Sequence, residues 1–280
     1  MQLAQQQRAL TCAMAAARSV GKIMRDNLHS KKKIDLETHH DIKLELDVRC
    51  QKRIERMLRR AFPDIAILGE EGILGNVQGE YRWVVDPIDG TVNFTYGIPH
   101  ACVSIALQAR SSIFKAHSRP HRLAGPRSTP DYVTVVGVVY DPFCDELWTA
   151  LRGRPALLNG RAVHVSQRPN LDEAIVSLGF AKQSFTLEKM LPLFNHLIHR
   201  VRKIRIMGAA ALAMVYVATG RMDAYTEYGV RLWDISAGGL ILECAGGDFW
   251  HRSVEGEHTY HVIANNGLLR RQLQSVFSAS

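Results

Sequence analysis

The stretch WVVDPIDGTVNF, residues 83–94, runs four apolar or aromatic residues into two aspartates three apart, then Gly-Thr. Asp, Pro and Gly are turn residues, and a single Asp-Pro turn is common. Asp141-Pro142 later in the chain reads as one. Asp86 and Asp89 ask for more, because two carboxylates held that close repel each other. Hard oxygen donors at a strand end suit Mg²⁺, which takes carboxylates, waters and substrate phosphate oxygens. A bound cation relieves the repulsion. If the Gly90-Thr91 step opens a helix, it presents backbone N–H groups to an anion. Metal carboxylates beside an anion site point to phosphoryl chemistry.

Outward from this stretch, the flanks are regular. Residues 3–28 and 47–61 have helical apolar spacing, and the second carries basic residues on its outer face and ends before Pro63. Short strands are expected at 66–69, 81–86, 101–109 and 133–142, and a hairpin turns at Asn159-Gly160. The second half alternates: strands in EAIVSLGF, KIRIMG, MDAYTE and 260–264, helices at 186–200, 209–219, 234–245 and 267–277. Strands mixed with helices long enough to cover sheets predict an α/β layered fold. A loose boundary is expected near 152, giving an N-terminal part, 1–152, and a C-terminal part, 153–280. No internal repeat occurs.

Composition narrows the class. The chain has 280 residues, 46% hydrophobic and 22% charged, which is enough to bury a sizeable core. Five scattered cysteines without a CxxC pair argue for reduced thiols, against a disulfide framework or a zinc site. The N-terminus lacks a signal-peptide pattern, and the longest uncharged run, 90–109, is a poor membrane span. A cytoplasmic protein is expected. The net charge of +8 suggests anionic company. Half of it is local: Arg110, Lys115, Arg119, Arg122 and Arg127 face only Asp131. The surrounding stretch 111–132 is basic, Pro-containing and aperiodic, and lies between two strands that otherwise pair. It reads as an insertion, either a solvated excursion or a surface for RNA or another partner.

Two other phosphatase chemistries fail, one on spacing and one on its loop. An aspartyl-phosphate enzyme needs Asp-x-Asp, one residue tighter than here. A cysteine phosphatase needs Cys-x5-Arg in a glycine-rich loop. Cys12…Arg18 and Cys50…Arg56 have the spacing but sit in helical runs without glycine at the turn.

The complete segment Asp86-Pro87-Ile88-Asp89-Gly90-Thr91-Val92-Asn93-Phe94 resembles the first motif of the inositol monophosphatase family. WDISAGGLILECAGG, Trp233 to Gly247, resembles the second, and Gly69-Glu70-Glu71, ahead of both, the family's Gly-Glu-Glu element. GVVYDP, LNG and GRMDAYTE extend the likeness over nearly everything except 111–132. The resemblance implies a layered αβαβα sandwich and a Mg²⁺-dependent phosphomonoesterase, lithium-sensitive and homodimeric. It implies that Glu70, Asp86 and the Ile88 carbonyl bind a first Mg²⁺, and Asp86, Asp89 and Asp234 a second, with a weaker third also using Glu70. Gly90 and Thr91 match phosphate-cradling positions. Asp47 matches the acidic partner of Thr91, which together orient and deprotonate a water. Glu227 matches a contact to substrate hydroxyls, and Ala210 a backbone contact to the ring. Asp234 is also a candidate N-cap. The first loop departs from the family: Lys43-Leu44 replace Val-Thr between Asp41 and Asp47, and His39-His40 sit beside Asp41. Arg231 stands where an uncharged residue or histidine is usual and favours a second substrate charge. The expected substrate is a polyol phosphate such as myo-inositol 1-phosphate. Histidinol phosphate, fructose 1,6-bisphosphate and 3′-phosphoadenosine 5′-phosphate remain alternatives. A non-enzymatic RNA- or partner-binding protein using the insertion is the alternative of another class.

Overall fold

The computed structural model describes residues 1–32, 34–37, 42–113, 131–180 and 184–279. His39, His40, Asp41 and most of the basic insertion, 114–130, lie outside these residues.

Two amphipathic helices, α1 (Leu3–Asn27) and α2 (Glu45–Ala61), form the outer layer, joined through a small hairpin of β1 (Ile34–Glu37) and β2 (Ile42–Leu44). They cover an eight-stranded sheet. Its strands are β3 (Ala66–Gly69), β4 (Gly72–Leu74), β5 (Tyr81–Asp89), β6 (Cys102–Arg110), β7 (Tyr132–Asp141), β8 (Glu146–Leu151), β9 (Leu157–Leu158) and β10 (Arg161–Ala162). Their spatial order is β10-β9-β8-β7-β6-β5-β3-β4. All neighbours are antiparallel except β3 and β5. The one-turn helix α3 (Thr91–Thr95) follows β5.

A five-stranded sheet comes next, built from β11 (Ile175–Leu178), β12 (Lys203–Arg205), β13 (Ala224–Arg231), β14 (Asp248–Ser253) and β15 (Thr259–Asn265), in the order β12-β11-β13-β15-β14. Helices α5 (Ala210–Ala218) and α6 (Leu232–Cys244) lie between the two sheets. Helices α4 (Ser184–Ile198) and α7 (Arg270–Ala279) cover the far face. The result is the expected αβαβα sandwich.

Strand periodicity accounts for the layering. Successive side chains point to opposite faces of a sheet. Trp83 and Val85 therefore join the core under α1 and α2, while Val84 between them joins the core around α5 and α6. Ile105 and Leu107 divide from Ala106 in the same way, and Val138 from Val139. In the second sheet, Tyr225, Val262 and Ala264 face the middle helices, whereas Ala224 and Ile263 face α4 and α7. Strands buried on both faces lose simple alternation.

Helix α6 is buried on almost every side, and its small residues set how closely it packs. A Cβ on Gly238 would stand 2.7 Å from Met214 of α5, and one on Gly239 2.4 Å from the Phe249 ring. Across the interface, a Cβ on Gly137 of β7 would meet the Ala237 carbonyl at 2.9 Å.

Several expectations shift. The expected boundary at 152 falls inside the run of the first sheet, which continues through the Asn159-Gly160 hairpin to Ala162. Strand β14 was not expected, because its residues DFWHRS lack an apolar alternation. Strands β6 and β7 do pair, and the register closes at Arg110↔Tyr132, so 111–131 connects two neighbouring strands. No helix among the described residues is long and apolar enough to cross a membrane.

His261 on β15 supplies a pH prediction. It is buried between Tyr228 and Trp250, with ring centroids at 5.3 and 5.2 Å. Burial first, then Arg252, pulls its imidazole down to about 4. The unfolded chain binds the proton more readily, so this group's contribution is complete above the unfolded value of about 6.5 and is lost as pH falls towards 4. The loss is on the order of 3 kcal/mol. Thermal melts of the wild type and His261→Phe from pH 7 to pH 4.5 measure it. The wild type should lose more stability, and parallel curves would refute the assignment.

Candidate metal centre and catalytic site

The site forms where β3, β5, α2, α5 and α6 bring chain ends together. Asp86 and Asp89 are three residues apart, and in a regular strand they would point to opposite faces. The register shows how this is avoided. Asp86 pairs with Ser104 and Asp89 with Cys102, three steps on β5 against two on β6. The extra residue is a β-bulge at Pro87-Ile88, which re-aims both carboxylates to one side. Proline fits there because a bulge leaves one residue out of the ladder. The Asp86 Oδ1 accepts the Ile88 N–H at 3.0 Å, which fixes the turn.

Glu70 is placed by its strand pair. Gly69 lies opposite Val85 in the parallel ladder, and the Glu70 N–H donates to the Val85 carbonyl at 3.1 Å. The next residue is clamped to α2: Gln51 Oε1 accepts the Glu71 N–H at 2.8 Å, and Gln51 Nε2 donates to Gly72 O at 3.1 Å. A Cβ on Gly69 would sit 2.3 Å from that amide. Gln51 was not singled out from the sequence, since an amide on an amphipathic helix gives no signal of its clamp.

Asp47 and Asp234 use one device twice. Each is the third residue of its helix and accepts the N–H of the residue preceding it: Leu44 N–H to Asp47 Oδ2 at 2.9 Å, Arg231 N–H to Asp234 Oδ2 at 2.9 Å. The expectation of Asp234 as N-cap is therefore corrected, because α6 begins two residues earlier and Arg231 takes the cap position. A carboxylate at the third position satisfies a free backbone donor and favours the positive end of the helix dipole. Ser104 Oγ donates to the Trp233 carbonyl at 3.0 Å and ties this turn to β6.

Asp89 is held by the start of α5. Its Oδ1 accepts the Ala210 N–H at 3.2 Å and its Oδ2 the Ala211 N–H at 2.8 Å, with Cys102 Sγ at 3.5 Å. The Ala210 N–H thus serves Asp89. Gly90 takes φ +91° and starts α3, where the Thr91 hydroxyl donates to the Ile88 carbonyl at 2.9 Å. Asn93 crosses the site, donating to His100 O at 2.9 Å and Met207 O at 2.8 Å. Arg231 spends one guanidinium nitrogen on Glu257 O at 2.7 Å and Thr259 Oγ1 at 2.9 Å.

Glu227 lies on β13. Its carboxylate accepts the Tyr225 hydroxyl at 2.5 Å, and Gly179 makes room for it, since a Cβ there would stand 1.7 Å from Oε2. Neither Tyr225 nor Gly179 was legible from sequence, because both act through Glu227.

The electrostatics follow from crowding acids out of water. Oxygens of Asp86, Asp89 and Asp234 lie within 4.8 Å of one another. Asp86 is 2% exposed and Asp89 7%. Burial first, then Glu70, Asp89 and Asp234, pushes the Asp86 carboxyl well up. Burial of its carboxyl first, then Asp234, Glu71 and Asp47, raises Glu70 too. Asp89 is pushed up to about 7 by burial and Asp234, against the pull of its two amide bonds. Glu227 also rises to about 7, from burial. Carboxyls that crowd together out of water are groups a divalent cation would relieve. The all-oxygen donor set fits a hard ion.

A sandwich of this topology, with acids gathered at a bulged strand end beside a helix-opening glycine, defines a metal-dependent phosphatase. The chain matches the model of the inositol monophosphatase family over residues 5–114 and 130–277. It belongs to that family and is a hydrolase acting on phosphoric monoesters. The match leaves out 115–129, the bulk of the basic insertion. Among relatives, the chain is 37% identical to the Nus factor SuhB of Pseudomonas aeruginosa over 272 residues, 92% of this chain and 91% of that one. It is 34% identical to an inositol-1-monophosphatase of Synechocystis, over 86% of this chain and 78% of that one. The inositol monophosphatase structure from Anabaena superposes with a TM-score of 0.80 at 32% identity, covering 98% and 96% of the two chains. The extragenic suppressor protein suhB from Bartonella henselae gives 0.81 at 29% identity, covering 95% and 97%.

Proposed function

We propose that this phosphatase uses Mg²⁺ to hydrolyse myo-inositol 1-phosphate or a closely related polyol phosphate. Glu70, Asp86, Asp89, Asp234 and the Ile88 carbonyl would hold the ions, a reading supported by the convergence of the Asp86, Asp89 and Asp234 oxygens. When bound, Mg²⁺ supplies Lewis acidity to the phosphoryl group and acidifies a nearby water. The chain's own residues do the rest. Gly90 and Thr91 face the phosphate at the opening of α3. Asp47, 2% exposed and fixed by the Leu44 amide, orients the water with Thr91 and takes its proton. Attack is in line and needs no covalent intermediate. A homodimer, lithium inhibition and a cytoplasmic location belong to the same proposal.

The observation that carries the polyol is Glu227. A carboxylate held by Tyr225, beside the acid cluster but accepting none of its amides, would receive hydrogen bonds from ring hydroxyls. A nucleotide or a second phosphate would be repelled there. Phosphate release from myo-inositol 1-phosphate, histidinol phosphate, fructose 1,6-bisphosphate and 3′-phosphoadenosine 5′-phosphate, each with and without Mg²⁺, tests this. The inositol ester should lead in kcat/KM. A leading bisphosphate would overturn the assignment.

Gly179→Ala separates recognition from chemistry. The added methyl cannot coexist with the present Glu227 carboxylate, which must swing away. Losing a charged hydrogen-bond acceptor to substrate costs about 1.5–3 kcal/mol, roughly 10- to 100-fold in kcat/KM. The loss should appear with the polyol ester and be smaller with p-nitrophenyl phosphate, which has no ring hydroxyls. Equal losses on both esters would count against the role of Glu227.

A further inference from the structure

The outer face of α2 is unusual in that each of its exposed residues is a cation: Arg49, Lys52, Arg53, Arg56, Arg59 and Arg60. The apolar residues Leu46, Cys50, Ile54 and Leu58 are turned into the core. Of the acids of this helix, Asp47 is buried at the active site; Glu45, one turn before Arg49, and Glu55, one turn before Arg59, are half-buried, and Glu55 accepts the Gln51 amide. Among the described residues none of the six cations is in an ion pair. By contrast, Arg18 and Lys22 on the neighbouring α1 are each matched by an aspartate.

Helix stability does not account for this face. Arg59 and Arg60 lie in the last turn, where cations complement the dipole. Arg49, Lys52, Arg53 and Arg56 lie earlier and gain nothing from it. The spacing sets like charges against each other at i,i+4 (49 with 53, 52 with 56, 56 with 60) and at i,i+3 (49 with 52, 53 with 56, 56 with 59), and each such pair is destabilising. The stripe runs about 17 Å along the helix axis, with a cation at every turn.

We infer that this stripe is a docking surface for the phosphate backbone of double-stranded nucleic acid. Five of the six cations are arginines, whose planar fork matches phosphate oxygens in pairs. A regular polyanion relieves the like-charge repulsion along the stripe. The exposed face carries no aromatic ring, so it lacks the stacking platform that single strands use. It carries no exposed apolar residue to enter a lipid surface. Binding is therefore electrostatic and independent of base sequence. The surface faces away from the side of α2 that carries Asp47.

The test uses the full chain and a random-sequence duplex labelled with fluorescein, with anisotropy read between 50 and 250 mM NaCl. The wild type should bind with a steep salt dependence. The variant R49Q/K52Q/R53Q/R56Q should bind at least tenfold more weakly at 50 mM salt, and the slope of log K against log salt should flatten by about 3. Its phosphate release should stay within twofold of the wild type, which shows that it folds. Deletion of 112–130 should leave the four-residue effect in place. The inference falls if the wild type does not bind the duplex, or if the variant keeps the wild-type slope. It also falls if the deletion alone abolishes binding, or if anionic vesicles or an acidic peptide compete at lower charge concentration than unlabelled duplex.

Discussion

Asp89→Asn should abolish phosphate release while making the metal-free protein more heat-stable. The carboxylate accepts two amides at the start of α5 and crowds against Asp86 and Asp234. Asparagine keeps the shape and one acceptor but removes the charge proposed to bind cation. Loss of one preorganised electrostatic group in an active site lowers kcat by about 10²–10³, and loss of a metal ligand should reach at least the upper figure. Stability moves the other way. The lost acceptor costs about 1 kcal/mol. Burial and the repulsion that holds Asp89 near 7 are relieved, and that term is several kcal/mol at pH 8. Relief wins, so the metal-free variant should melt about 2–5 °C higher. Millimolar Mg²⁺ should raise the melting temperature of the wild type and leave the variant's nearly unchanged, because only a bound ligand stabilises by mass action. A wild type indifferent to Mg²⁺, or a variant that still turns over, would remove the metal centre from this account.

The second large effect is expected at a residue with no chemistry of its own. Gly90 has φ +91°, a conformation that costs other residues about 1–2 kcal/mol. A Cβ there would also stand 2.9 Å from the His100 carbonyl and 3.2 Å from the Ala209 Cβ. Backbone on one side and the start of α5 on the other leave it no way to yield. Gly90→Ala should lose about 2–4 kcal/mol of stability, and the displaced β5–α3 corner should lower kcat by roughly 10²-fold, as a 1 Å misplacement does. Chemical denaturation and phosphate release measure the two together. If activity falls while KM for the phosphate ester and stability stay at wild-type values, the strain argument is wrong.

The chemistry was legible because the motif is local. Asp86 through Phe94 is contiguous, and the elements with strong periodicity, α1, α2 and the central strands, lie within a few residues of where the apolar spacing puts them. Supporting residues were silent for a common reason. Gln51 clamps the Glu70-Glu71 turn, Gly179 vacates space for Glu227, and Ser104 pins the start of α6, each through a partner at least 20 residues away. Nothing beside them in the chain marks that role. The basic face of α2 was visible as outer-face charge, but only the structure shows that cations fill every exposed position.

The sequence alone determined which groups are on offer for the proposed chemistry, an acid-rich strand end and a glycine-threonine step, and the pattern of apolar residues that commits the chain to layered sheets. Tertiary structure decided how they meet. Asp86 and Asp89 share a side because β5 gains one residue against β6 at the bulge, and a register is a relation between two strands that neither states alone. Asp234 reaches them because α6 is packed closely between β7 and α5, a distance set by the missing side chains of Gly137 and Gly238 acting together.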